Sequence, residues 1–210
     1  MRQMRISVSI LAGLLAAMPA AHAQSGTANV YFGLGTANDS SSRQLIDTFN
    51  TGNPYTTPKM GGLFGDLGAS YMFTNHLGVG ADFDWRTTRA AYAGLNYRPY
   101  FYNFDAIYQP GKTKHFVPEL RAGLGGVDVS YGLTSTACDA LVGCSTSNQY
   151  LESAHHFQLH MEAAARYYVT DHIFLRPAVE AHWVNNFSQF GSNWVPQYSM
   201  GIGYSFGNRE

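Results

Sequence analysis

The chain has 210 residues, a formal net charge of −1, 13% charged and 14% aromatic residues. So weak a field gives no reason to expect nucleic acid as a partner. Past residue 23 no stretch approaches a transmembrane helix in length or apolarity, which excludes a helical membrane protein.

The N-terminus reads as a secretory leader. Arg2 and Arg5 precede an apolar run from Ile6 to Met18, and Ala21-His22-Ala23 forms a small-x-small cleavage site before Gln24. The run falls short of the ~20 residues of a membrane-spanning helix. Residues 1–23 are therefore expected to be removed. Residues 24–210 then form one domain with a net charge of about −3.

Downstream the dominant period is two. In "LGVGADFDWRT", Leu77, Val79, Ala81, Phe83 and Trp85 share one face, and Gly78, Gly80, Asp82, Asp84 and Arg86 share the other. Phe157 to Val169 and Ile173 to Trp183 alternate in the same way, with Gln158, His160, Glu162, Arg166, Arg176, Glu180 and His182 on the polar faces. The alternation predicts eight strands at roughly 28–36, 61–73, 77–88, 95–109, 116–131, 154–169, 173–187 and 195–207. In the fifth, parity switches at Gly125-Gly126, which suggests a β-bulge. The register of the fourth is open near Tyr102-Asn103.

Connections after the second, fourth and sixth strands are short, and those after the first, third, fifth and seventh are longer or irregular. This alternation marks an all-β, antiparallel, eight-stranded up-and-down transmembrane barrel, with turns in the periplasm and loops outside. A soluble barrel would carry apolar residues inside and charges outside. Here the polar faces are rich in Gly, as a crowded lumen requires. Aromatics end the apolar faces: Tyr71, Phe73 and Tyr167 near the turns, Trp85 and Trp183 far from them. A strand of 10–12 residues at ~3.3 Å rise and ~40° tilt spans roughly 25–30 Å, the height of a lipid-facing band.

Cys138 and Cys144 sit in "TACDALVGCSTS". Export places them in an oxidising compartment, so a local disulfide across the third outer loop is expected. Two thiols without nearby His do not make a four-ligand metal site, and the spacing is not Cys-x-x-Cys.

From about Thr27 to Phe206 the chain resembles the small outer-membrane barrels of the OmpA transmembrane domain, OmpX and Ail type. The most specific piece is "YSMGIGYSF", which is similar to the carboxy-terminal signal read by the outer-membrane insertion machinery. That signal usually ends on an aromatic, whereas Gly-Asn-Arg-Glu follows Phe206 here. The resemblance implies outer-membrane lipid and the insertion machinery as partners, and a monomer located in the outer membrane of a Gram-negative-type bacterium.

One phrase is written twice. Thr74-Asn75-His76 and Thr170-Asp171-His172 each follow an aromatic stretch and precede an alternating run that ends near a Trp, 96 positions apart. With three-residue turns, Phe73 opposes Leu77 and Val169 opposes Ile173. Asp66 then opposes Asp84, Glu162 opposes Glu180, His160 opposes His182, and Arg166 opposes Arg176. Four carboxylates at one level of a narrow lumen must pair with cations or bind protons. The expected network joins Asp66, Asp84, Glu119, Arg121, Glu162, Arg166, Arg176 and Glu180, with Arg121 between the two acid pairs. In OmpA-like barrels such a network plugs the lumen, and the resemblance implies the same here.

Two sharper readings compete. His160, His182, Glu162 and Glu180 have metal-ligand chemistry, but the nearby Arg residues argue against a cation, so no metal is expected. Glu180-Ala181-His182 with Ser188 offers an acid, a base and a hydroxyl. Lipid A deacylases of this barrel type carry His-x-Ser-Asn, however, whereas His182-Trp183-Val184-Asn185 lacks that Ser, and His182 points inward. The Gly-x-Gly stretches lie along strands rather than before helices, so no nucleotide site and no cofactor is indicated. The expected role is non-enzymatic, structural or surface-interactive through loops at about 36–60 and 132–153. The alternative is a narrow porin-like channel.

Overall fold

The structure, a computed structural model, describes residues 26–38, 45–47, 52–56, 58–92, 94–139, 143–187 and 190–207. The expected leader and Ser188 lie outside these residues. Among them are eleven strands: β1 (Thr27–Ala37), β2 (Leu45–Ile46), β3 (Tyr55–Thr56), β4 (Phe64–Met72), β5 (Leu77–Arg86), β6 (Ala90–Tyr92), β7 (Leu95–Tyr108), β8 (Phe116–Asp139), β9 (Gly143–Tyr168), β10 (Ile173–Val184) and β11 (Trp194–Phe206). Eight of them form a closed antiparallel ring in the order β1, β4, β5, β7, β8, β9, β10, β11, with β11 returning to β1. Closure leaves every ring strand paired on both edges, as a lipid core demands. β2 and β3 pair only with each other, and β6 pairs with the mouth end of β7.

Side-chain alternation is that of a membrane barrel. Leu67, Phe104, Leu124, Met161, Val179 and Ile202 are exposed on the outer wall, while Asp66, Asp105, Arg121, Glu162 and Glu180 are buried inside it. Aromatic rings band both ends of the wall. Tyr71 packs on Phe73 at 5.3 Å and Tyr204 on Phe206 at 4.8 Å near the turns. Phe83 stacks on Trp85 at 5.7 Å and on Tyr100 at 6.1 Å near the mouth, where Trp183 also pairs with Trp194.

The repeated phrase is a turn device. Thr74 Oγ accepts from the Leu77 amide at 2.9 Å, and Thr170 Oγ accepts from the Ile173 amide at 3.0 Å. His76 Nδ1 lies 2.8 Å from the Gln109 carbonyl and His172 Nδ1 lies 3.1 Å from the Ser205 carbonyl, tying each turn to the next strand. The β7–β8 turn repeats it: Thr113 Oγ accepts from the Phe116 amide at 3.1 Å, and His115 Nδ1 sits 3.4 Å from the Tyr168 carbonyl. All three short turns are thus Thr-x-His clips.

Two expectations need correction. There is no bulge at Gly125-Gly126: both pair in continuous register with β7 and with β9, and the one shift between β8 and β9 falls at Tyr131/Gly132. The apparent change of parity is a change of surroundings. Below Gly125 the inner face of β8 carries Glu119 and Arg121, and above it Val127 and Val129, which are fully buried. The segment at 132–153 is also no open loop. From Gly132 paired with Tyr150 to Asp139 paired with Gly143 it continues as a two-stranded ribbon beyond the ring. The fourth predicted strand, β7, resolves with Tyr97, Phe101, Asn103, Asp105 and Ile107 inward and Tyr102, Phe104 and Tyr108 outward.

Candidate functional site

The lumen is filled in layers, each set by which residues the strands carry at that height. Nearest the turns, Tyr31, Val117, Tyr168 and Phe174 form a small apolar cluster. Beside it Ser205 Oγ donates to Asn29 Oδ1 at 2.5 Å, and Asn29 Nδ2 donates to Ser70 Oγ at 3.2 Å.

Above that lies a tier of three guanidiniums and three carboxylates. Glu119 is its hub: Arg121 Nε donates to it at 2.6 Å, Arg166 Nε at 2.9 Å and Arg176 at 3.4 Å, with Gln109 Nε2 at 3.3 Å. Arg176 also pairs with Glu162, and Arg121 Nε lies 3.8 Å from Glu162. Across the lumen Arg121 donates to both oxygens of Asp82 at 2.8 and 2.9 Å. Tyr31 donates to Asp82 as well, and the Arg176 guanidinium lies over its ring at 4.0 Å. Gly68 makes this possible, since a Cβ there would overlap both the Tyr31 ring and Asp82.

The next tier holds Asp66, Asp84, Asp105, Glu180, Gln197, His160 and His182, all buried. Asp66 opposes Asp84, Glu162 opposes Glu180, and His160 opposes His182 in register. Asp105 Oδ1 is 2.9 Å from His160 Nδ1, and Glu180 Oε2 is 3.6 Å from Nε2 of both His160 and His182. The two imidazoles stack at 4.9 Å. Gln197 Nε2 donates to Asp84 at 2.6 Å and to Glu180 at 3.4 Å. Among the described ion pairs none brings a guanidinium to this tier.

The eight charged positions singled out in the sequence therefore all lie inside the ring, but in two tiers rather than one. Of the two expected acid pairs, the described ion pairs of Arg121 reach only Glu162, at 3.8 Å; its carboxylate hydrogen bonds go to Asp82 and Glu119. Asp82 and Asp105 were missed as members. Asp82 already lay on the polar face of its strand, while Asp105 lay in the strand whose register was open.

At the mouth, apolar side chains pack together inside the ring. Met60, Phe64, Tyr97, Phe101, Val127, Val129, Val184, Phe187, Phe190 and Val195 form one buried cluster within the ring. Phe187 and Phe190, from the segment between β10 and β11, stack at 4.4 Å, and Phe190 meets Tyr97 at 5.6 Å. Phe101 packs on His182 at 4.8 Å, so the plug rests directly on the histidine tier.

Beyond the mouth, residues 143–152 of the ribbon are exposed. Ser135 meets Ser147 at 2.8 Å and Thr136 meets Thr146 at 3.2 Å across it. A disulfide joins Cys138 to Cys144 at its tip.

The family model for the outer membrane protein beta-barrel domain matches residues 7–206. Among solved structures, the outer membrane protein OprG of Pseudomonas aeruginosa is 16% identical with a TM-score of 0.55, covering 87% of this chain and 97% of its own. Neisserial surface protein A is 16% identical at a TM-score of 0.54, with coverage of 86% and 97%. The attachment invasion locus protein Ail of Yersinia pestis, in complex with the heparin analogue sucrose octasulfate, is 14% identical at 0.53, with coverage of 87% and 100%. At such identities these likenesses concern the fold. No curated protein sequence matches.

Proposed function

The chain belongs to the outer membrane protein β-barrel domain family, and on that premise we propose that it is a non-enzymatic barrel with a closed lumen that acts at the cell surface through its β8–β9 ribbon. It resides in the outer membrane of a Gram-negative bacterium. In such barrels the tight turns face the periplasm and the long connections face outward.

The observation that carries this reading is the ribbon itself. β8 and β9 run 24 and 26 residues, whereas the other ring strands run 9 to 14. Beyond Gly132 the outer edge of β8 has left β7, and before Phe157, whose carbonyl still accepts from the Asn185 amide at 2.9 Å, the outer edge of β9 meets no further strand among the described residues. Free backbone edges on a covalently closed hairpin suit pairing with an extended polypeptide. Residues 132–153 contain Asp139 and Glu152 and no Lys or Arg. The sulfated ligand of the Ail complex is thus a poor guide to the partner here.

An enzymatic reading has little support in the geometry. His182 is fully buried between His160 and Phe101 and presents no face to the bilayer. The channel reading is opposed by the apolar mouth and the charged tiers beneath it, in a ring whose interior is just wide enough for side chains.

Two measurements test the proposal. Purified protein in planar bilayers should give no steady current, and a sustained ohmic conductance would favour the channel. Replacing residues 134–148 by a tight turn should leave a folded, heat-modifiable barrel while removing surface binding of intact cells. Undiminished binding by that variant would reject the ribbon as the acting surface.

A further inference from the structure

We propose that the lumen contains a binding site for a divalent first-row transition ion of the Zn²⁺ class, with His160, His182 and Glu180 as ligands. Three buried groups converge there from β9 and β10, and their ligand atoms lie within 4.8 Å of one another. The pairs His160 Nε2–Glu180 Oε2 and His182 Nε2–Glu180 Oε2 are each 3.6 Å apart, too long for a hydrogen bond. Two ligands ~2.0–2.1 Å from a tetrahedral ion stand about 3.3–3.4 Å apart, so small side-chain adjustments would seat one.

Unpartnered atoms point to the same place. His160 Nε2 and both ring nitrogens of His182 are buried without a hydrogen-bond partner. The side chains of both residues are 0% exposed. Leaving such groups unmet in a closed interior is costly. Asp105 supplies the outer support. His160 Nδ1 lies 2.9 Å from Asp105 Oδ1; in the tautomer that donates to Asp105, a neutral ring turns its Nε2 lone pair toward Glu180. A carboxylate behind an imidazole is the usual way to orient a metal-binding histidine. The oxygen and nitrogen lone pairs then face each other, and only a positive species between them makes the arrangement favourable.

Charge bookkeeping agrees. Among the described residues the ring encloses seven buried carboxyl groups against three buried guanidiniums, a formal excess of four negative charges when every carboxyl is ionised. The guanidinium tier is balanced by Asp82, Glu119 and Glu162. That formal excess falls on Asp66, Asp84, Asp105 and Glu180 in the histidine tier, which must take up cations or protons to be tolerated there. The sequence-based objection that Arg residues repel a cation there is weakened, because Glu162 goes with the Arg tier and among the described ion pairs no guanidinium reaches the other. The apolar mouth over Phe101 and His182 keeps the site dry.

The test uses the full barrel refolded in detergent, with Zn²⁺ or Co²⁺ either present during refolding or added afterwards, then dialysed against metal-free buffer. The expected result is one metal equivalent per chain in at least one arm, with Co²⁺ giving the ligand-field bands of a low-coordinate nitrogen–oxygen site. His182→Gln and Glu180→Gln should each abolish retention, and Asp105→Asn should weaken it by ~10–100-fold. The gel shift of the unheated barrel confirms that a variant has folded. If the variants misfold, histidine ¹⁵N spectra of the parent decide: metal-dependent shifts at two rings support the site. No retained metal in either arm with folded parent protein would overturn it, and ¹⁵N signals of an imidazolium at His160 would then identify a proton as the species between the two groups.

Discussion

A single carboxylate organises the guanidinium tier. Glu119 accepts from Arg121, Arg166, Arg176 and Gln109 at once, so its loss strands donors that no solvent reaches. Glu119→Gln is expected to destabilise the barrel by ~3–5 kcal/mol, the cost typical of breaking a buried pair on one side. Urea unfolding followed by tryptophan fluorescence would measure it, and a variant as stable as the parent would reject the tier as a stabilising element. Strand parity made it legible in the sequence that Glu119 and the three Arg residues face inward. It was not legible that Glu119, rather than Arg121, is the hub. Parity fixes a face and a height above a turn, but which side chains meet across a barrel depends on strand stagger around the ring. A strand with an unsettled register, β7, hid Asp105 and with it the partner of His160.

At the scale of elements, the tight turns were the most readable feature. Phe73 N bonds Leu77 O at 3.0 Å and Val169 N bonds Ile173 O at 2.9 Å, as three-residue turns require. Alternation on both sides and a repeated phrase fix such a turn jointly. The ribbon was not readable, because Ser, Thr, Asn and Gly over 132–153 look like loop composition. Ribbon pairing depends instead on the ladder continuing outward from β8 and β9 below it and on the Cys138–Cys144 link above. The bulge was misplaced for a related reason. A strand leaving the charged tiers for the apolar mouth exchanges what its inner face carries, which imitates a slip of register. If the ribbon is held from both ends, the Cys138→Ser/Cys144→Ser pair should loosen the ribbon alone. Closing so short a loop contributes at most ~2–3 kcal/mol in the chain-entropy model. Limited proteolysis should then cut within 132–153 while the urea midpoint of the barrel stays unchanged. A lowered midpoint would show that the ribbon and the ring unfold together.

At the scale of the whole molecule, the alternation of strands and the pattern of connections fixed the ring, while its closure at the mouth had no signal of its own. Phe187 and Phe190 sit where a strand end and a loop were expected, and they fold into the ring only because Phe64, Tyr97, Phe101 and Val195 offer an apolar seat. On the closed-lumen reading proposed above, two unlike barriers stand in series: an apolar constriction at the mouth, and charged tiers joined by ion pairs beneath it. Barriers in series set conductance by whichever remains. Phe187→Ser with Phe190→Ser should wet the mouth yet leave planar bilayers silent, because the Glu119–Arg tier still fills the ring. Glu119→Gln alone should likewise stay silent behind the apolar mouth. Only the combined variant, with both barriers weakened, is expected to show frequent openings. If the mouth variant alone conducts as well as the combination, the charged tiers are no barrier, and the lumen is gated by its aromatic mouth alone.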